Sequence, residues 1–231
     1  MIQLSPDESR VLGVLVEKAT TTPEQYPLSL NAVVNGANQK NNRDPVMTME
    51  EGATFEALEG LRAKGLVVRV DMAGSRVNKY RHQAGEALHV RAAELAILAE
   101  LLLRGPQTLG ELRGRASRMH PLESLDVVKN MLRALVEREE PLARELPPAP
   151  GSRAERYAQL LCPDLHPLDI AAGASASAPA AVSPSPGGSA LSERVTRLEA
   201  EVDALRRALR RIATAVGEPD PLAADDDVPD A

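Results

Sequence analysis

Two stretches of this chain follow the same pattern in the same order. Glu8-Ser9-Arg10-Val11-Leu12-Gly13-Val14-Leu15-Val16-Glu17-Lys18 is echoed by Glu94-Leu95-Ala96-Ile97-Leu98-Ala99-Glu100-Leu101-Leu102-Leu103-Arg104. Pro27-Leu28-Ser29-Leu30 with Val33 is echoed by Pro106-Gln107-Thr108-Leu109 with Leu112, Leu58 and Leu61 by Leu132 and Leu135, and Lys79-Tyr80 by Arg156-Tyr157. The offsets are 86, 79, 74 and 77 residues. That spacing is too long for a solenoid unit and suits a small domain. Two copies of one small module are therefore expected. Aromatic content is 2%, with Phe55 the single Phe, so the cores must be built from Leu, Val, Ala and Met. Such cores favour helical modules over a β-sandwich.

Within the first copy, Ser5-Pro6-Asp7-Glu8 has an N-cap, a proline at the first helical position and a capping-box Glu, followed by the stripe Val11, Leu12, Leu15 and Val16. Ser29 caps a short second helix with Leu30, Val33 and Val34. Thr48 and Glu51 predict a further capping box, opening a third helix with Phe55, Leu58 and Leu61 inward, and Gly65 sits at its C-terminal cap. Leu66–Val70 and Arg76–Arg81 read as the strands of a hairpin. The second copy repeats this outline. Its first helix covers about 91–104, Thr108 and Glu111 form a capping box, and Leu125, Val128, Leu132 and Leu135 mark its third helix. Its strands are 142–146 and 156–160. Three helices and a hairpin give the outline of a winged helix. The expected class is mainly α with small β-hairpins: two tandem winged-helix domains at 1–84 and 85–168, a linker at 169–190, a coiled-coil helix at 191–216 and an acidic tail at 217–231.

The linker is Ala, Ser, Pro and Gly with little apolar surface to bury. After it, Leu191, Val195, Leu198, Val202, Leu205, Leu209, Ile212 and Val216 alternate spacings of 4 and 3, an unbroken heptad seam. Mostly β-branched a positions with mostly Leu at d favour a parallel homodimer, and Arg194 facing Glu199, with Glu201 facing Arg206, agrees with it. The alternative is an amphipathic helix docked on its own modules.

The segments Leu4-Ser5-Pro6-Asp7-Glu8, Thr21-Thr22-Pro23-Glu24-Gln25-Tyr26-Pro27 and Asn38-Gln39-Lys40-Asn41-Asn42-Arg43-Asp44-Pro45 resemble the YceH family of bacterial proteins. So do Leu102-Leu103-Arg104-Gly105-Pro106 and Gly110-Glu111-Leu112-Arg113 in the second copy. The resemblance covers about residues 4–165. It implies a tandem winged-helix fold and a cytoplasmic bacterial protein, and it brings no catalytic or ligand residues to transfer. Ala37 stands where the resemblance leads one to expect Cys.

The residues themselves give little support for catalysis. His82, His89, His120 and His166 are scattered without metal-ligand spacing, the lone Cys162 has nothing near it to activate a thiol, and no nucleophile motif or phosphate-cradling loop occurs. The reading is a non-enzymatic protein without cofactor, and no stretch is apolar enough to span a membrane. The net charge of −6 is concentrated late: residues 1–85 carry 10 Lys/Arg against 10 Asp/Glu, and residues 171–231 carry 6 against 10. It therefore does not exclude nucleic acid. Double-stranded DNA is the first candidate ligand, through the first hairpin (Arg69, Arg76, Lys79, Arg81), the Asn-rich loop (Lys40, Asn42, Arg43) and the second module's short helix (Arg113, Arg115, Arg118). Glu50, Glu51, Glu56 and Glu59 on the first third helix, with Glu123 and Asp126 on the second, oppose a groove-reading pose. The alternative is a protein–protein scaffolding module.

Overall fold

The computed structural model describes residues 2–71, 77–149 and 152–166. All of them lie in one compact unit, Met1–Ala172, which contains both expected winged-helix domains. A second unit, Gly173–Ala231, lies outside the described residues, as do Arg76, the expected linker and tail, and every residue of the heptad seam.

The first copy runs α1 (Pro6–Thr21), a 3-10 turn (Pro23–Gln25), β1 (Leu28–Ser29), α2 (Leu30–Ala37), α3 (Glu51–Ala63), β2 (Val67–Val70) and β3 (Lys79–His82). A short α4 (Ala84–Ala87) leads to the second: α5 (Ala92–Arg104), β4 (Gln107–Thr108), α6 (Leu109–Ala116), α7 (Leu125–Val136), β5 (Ala143–Leu146) and β6 (Arg156–Gln159). The caps act as the sequence predicts at α1 and α6. Ser5 Oγ accepts from the Glu8 N–H while the Glu8 carboxylate accepts from the Ser5 N–H at 2.7 Å, and Thr108 and Glu111 repeat the exchange. Gly65 has φ +71°, the left-handed geometry of a helix end.

Each copy holds a three-stranded antiparallel sheet, ordered β1-β3-β2 and β4-β6-β5. The two-residue strands β1 and β4 have no signal in the sequence; they form because the central strand offers them an edge. Tyr80 lies between Leu28 and Arg69, and Tyr157 lies between Gln107 and Glu145. The echoed Tyr therefore occupies the same place in both sheets.

The core is continuous across the copies. α1 is buried from Glu8 through Glu17 and α5 from Leu95 through Leu103, on all sides rather than along one stripe. A helix covered all round needs a second layer, and each copy's first helix is that layer for the other. Their approach is close: a Cβ placed at Gly13 would stand 2.8 Å from Leu103 Cγ. Backbone bonds tie the copies as well, Leu4 N–H to Leu161 O at 2.7 Å and Asp44 N–H to Leu103 O at 2.9 Å.

Three local expectations are corrected. Phe55 is 44% exposed, because α3 turns Thr54, Ala57, Leu58 and Leu61 inward and Phe55 stands one position off that stripe. Leu125 is 47% exposed at the first turn of α7, beyond the reach of the core that takes Val128, Leu132 and Leu135. The Thr48–Glu51 cap does not form. Instead the Asn38 side chain accepts from Met49 N–H and donates to Met49 O, holding buried Met49 outside the helix, so that α3 starts only at Glu51.

Candidate functional site

Two carboxylates lie inside the apolar seam between the copies. Glu17 near the end of α1 is 2% exposed and Glu100 in the middle of α5 is fully buried. A buried carboxylate is tolerated only when paired and hydrogen-bonded. Arg43, in the loop after α2, meets Glu17 with both terminal nitrogens at 3.2 and 2.6 Å, and donates to Gly36 O, Asn42 O and Gln39 Oε1. Arg118, just after α6, joins the two acids: Nη1 binds Glu17 Oε1 and Nη2 donates to Glu100 Oε2 at 2.9 Å. Arg104 Nε lies 3.1 Å from Glu100 Oε1, and its Nη2 binds Asn42 Oδ1 across the seam. Behind these, fully buried Arg10 donates to the carbonyls of Pro45 at 2.6 Å and Ala37 at 3.4 Å.

The electrostatics follow from the pairing. Burial pushes the Glu17 carboxyl up, but Arg43 and Arg118 outweigh it and hold the group below the usual carboxylate range. Burial works against the charge on Arg118 too, and Glu17 with Glu100 raises it overall. Arg104 is lowered by burial and by Arg115, Arg118 and Arg43, despite Glu100. Arg10 comes down to about 10, through burial and then the nearby Arg43.

Above the cluster an open hollow of about 660 Å³ is lined by Lys40, Asn41, Asn42, Arg43, Asp44, Arg104 and Arg115. The structure thus brings together Lys40, Asn42 and Arg43 of the loop after α2 with Arg115 and Arg118 at the end of α6. Arg43 and Arg118 are engaged by the buried acids. Arg115 donates to Gln107 Oε1 at 2.8 Å and pairs with Glu111 at 3.2 Å. Arg113 lies apart, donating to the carbonyls of Leu122 and Glu123. On the first hairpin Arg69 sits 3.4 Å from Asp71, whereas the side chains of Lys79 and Arg81 have no hydrogen-bond or ion-pair partner among the described residues. Sequence reasoning missed Glu17, Glu100, Arg104 and Arg10. Their signal was an acid or base inside an otherwise apolar helical run, which predicts a buried partner without saying which.

The outer faces of the third helices differ. On α3 Glu51, Phe55 and Glu56 are exposed, and half-buried Glu59 pairs with Arg62. On α7 the exposed residues include Asp126, Lys129, Asn130 and Arg133. Cys162 is 1% exposed and its thiol is pushed up by burial, conditions unlike those of a reactive thiolate. Among the described residues no group of three or more His, Cys, Asp or Glu side chains is placed to hold a metal ion, and no helix is long and apolar enough to cross a membrane.

Comparison with known proteins returns a family model described as "Protein of unknown function, DUF480", which matches residues 4–152. A UPF0502 protein of Geobacter sulfurreducens is 53% identical over 166 residues, 71% of this chain and 75% of that protein. One of Koribacter versatilis is 50% identical over 165 residues, 71% of this chain and 77% of its own. One of Geotalea uraniireducens is 47% identical over 207 residues, 89% and 91% of the two chains, which carries the similarity into the C-terminal segment. With the first copy and all of the second up to β5 inside the matched region, this chain belongs to the DUF480 family of bacterial proteins, whose curated members here bear the name UPF0502.

Proposed function

We propose that this chain is a non-enzymatic, cytoplasmic tandem winged-helix protein of the YceH type, and that it docks a protein partner on the outer face of α3. The repeated order of helices and a three-stranded sheet supports the winged-helix assignment. The docking reading rests on one observation: the helix that would enter a DNA groove presents Glu51, Glu56 and the exposed ring of Phe55. Carboxylates there repel phosphate, while an aromatic anchor within a charged rim is the usual core of a protein interface. The loss of free cations points the same way, since Arg43, Arg69, Arg113, Arg115 and Arg118 all have partners inside the protein. The heptads at 191–216 would pair two chains and present two such faces.

Duplex DNA is the second reading, supported by the unpartnered Lys79 and Arg81 and by Lys129, Asn130 and Arg133 on α7. One pair of measurements separates the two. A photoreactive phenylalanine analogue at position 55 should give discrete polypeptide adducts in cells, and the same group at position 129 should not. Duplex binding by the purified protein should be weak and nonspecific. If duplex affinity is instead strong, falls steeply with salt and is lost in Lys129→Gln/Arg133→Gln, DNA replaces the protein partner.

A further inference from the structure

The seam between the copies leaves positive charge uncompensated. Arg43, Arg104 and Arg118 share only two carboxylates, Glu17 and Glu100. Arg10 is held by carbonyls alone. Arg115 is balanced by Glu111, and exposed Asp44 stands at the rim with Lys40, which has no partner among the described residues. With Lys18 3.9 Å from Glu17, seven cations therefore meet four carboxylates, in a chain whose net charge is −6.

That excess opens into the hollow of about 660 Å³, a size within the range of small-molecule sites. Both copies build it. The loop after α2 gives Lys40 and Asn42, the last turn of α5 gives Arg104 and α6 gives Arg115. The lining is rich in N–H donors and contains no aromatic ring, so it is suited to grip an oxyanion and offers a nucleobase no aromatic face. Guanidinium forks and an ammonium point charge are the donor set that suits a tetrahedral, multiply charged anion. Arg104 is lowered first by burial and then by its cationic neighbours Arg115, Arg118 and Arg43, and an anion in the hollow would offset the second effect.

We propose that this hollow binds a phosphoryl group, carried either by a phosphorylated small ligand or by a nucleic-acid backbone. The site shares no residue with the docking face of α3 and does not depend on it.

The test uses the full chain, with pyrophosphate as probe in calorimetric titrations at constant ionic strength, on the wild type and on Lys40→Gln, Arg115→Gln and Arg81→Gln. Lys40 has no partner to lose, so its substitution does not put folding at risk. Saturable binding is expected, weakened about tenfold in Lys40→Gln and in Arg115→Gln and unchanged in Arg81→Gln. A competition arm with a short DNA duplex then identifies the source: displacement of pyrophosphate points to backbone phosphate, and indifference points to a small ligand. Heats that do not saturate, wild-type binding in either hollow variant, or an equal loss in Arg81→Gln would each overturn the proposal.

Discussion

Replacing Glu17 by Gln keeps the shape of the side chain and removes its charge from the seam. In the native protein Glu17 is 2% exposed and holds Arg43, whose side chain is fully buried, through contacts of 3.2 and 2.6 Å, together with Arg118. The new amide would turn donor hydrogens toward one of these guanidiniums and leave a buried cation without its counter-ion. Breaking a buried pair from one side costs about 3–5 kcal/mol. The low end, about 3 kcal/mol, applies because Gly36 O, Asn42 O and Gln39 Oε1 still accept from Arg43. At a urea dependence of about 2 kcal/mol per molar, the unfolding midpoint should fall by about 1.5 M, as followed by far-ultraviolet circular dichroism at neutral pH. Arg43→Gln should cost a similar amount, and the double variant clearly less than the two together.

The pH dependence gives a second check on the same reasoning. The folded-state pKa of Glu17 is depressed, so its contribution is complete above the unfolded value of about 4.3 and is lost as pH falls through the lower folded value. The gap between wild type and Glu17→Gln should narrow on acidification over that window. A loss below about 1 kcal/mol at neutral pH, or additive single variants, would refute the assignment of the seam as a coupled buried ion cluster.

Other outcomes follow from the packing. Leu58→Ala should cost about 2–5 kcal/mol and Phe55→Ser less than about 0.5 in urea denaturation, since only the first side chain is buried. Gly36→Ala should cost about 1–3 kcal/mol, because the added Cβ lies 2.6 Å from Val14 Cγ1, and Val14→Ala should restore part of the melting temperature. Burial lowers both His82 and His166, so they favour the folded state while neutral; the urea midpoint should drop as pH falls from about 6.5, and His82→Gln with His166→Gln should flatten that slope. Leu198→Glu with Leu205→Glu, placed by heptad spacing alone, should change a dimeric mass into a monomeric one by light scattering, and an unchanged mass would refute the coiled coil.

What the sequence determined by itself is the local and repeated part of the fold. Caps at Ser5 and Thr108, the glycine at 65, the hairpin strands and the echo of Tyr80 in Tyr157 were all legible, because each depends on neighbours a few residues away or on comparison of one copy with the other. Where the structure departs from expectation, long-range contact overrides the local pattern. Asn38 delays the start of α3 by holding Met49, and the inward stripe of α3 excludes Phe55. The stripe read on α1 became a helix buried all round because α5 covers its other face.

The candidate site was the least legible part. Lys40, Asn42, Arg43, Arg115 and Arg118 could be picked out as basic or polar side chains, but their partners could not. Arg118 meets Glu17 across 101 positions of sequence, and Arg104 reaches Asn42 across 62. Spacing along a chain has no information about which charges a packed seam will desolvate together. Burial decides this, by making an unpaired charge far more costly than it is in water, and burial is a property of the tertiary structure. The sequence therefore determined that two like modules exist; only their packing decided which of the arginines hold the seam shut and which remain open to solvent.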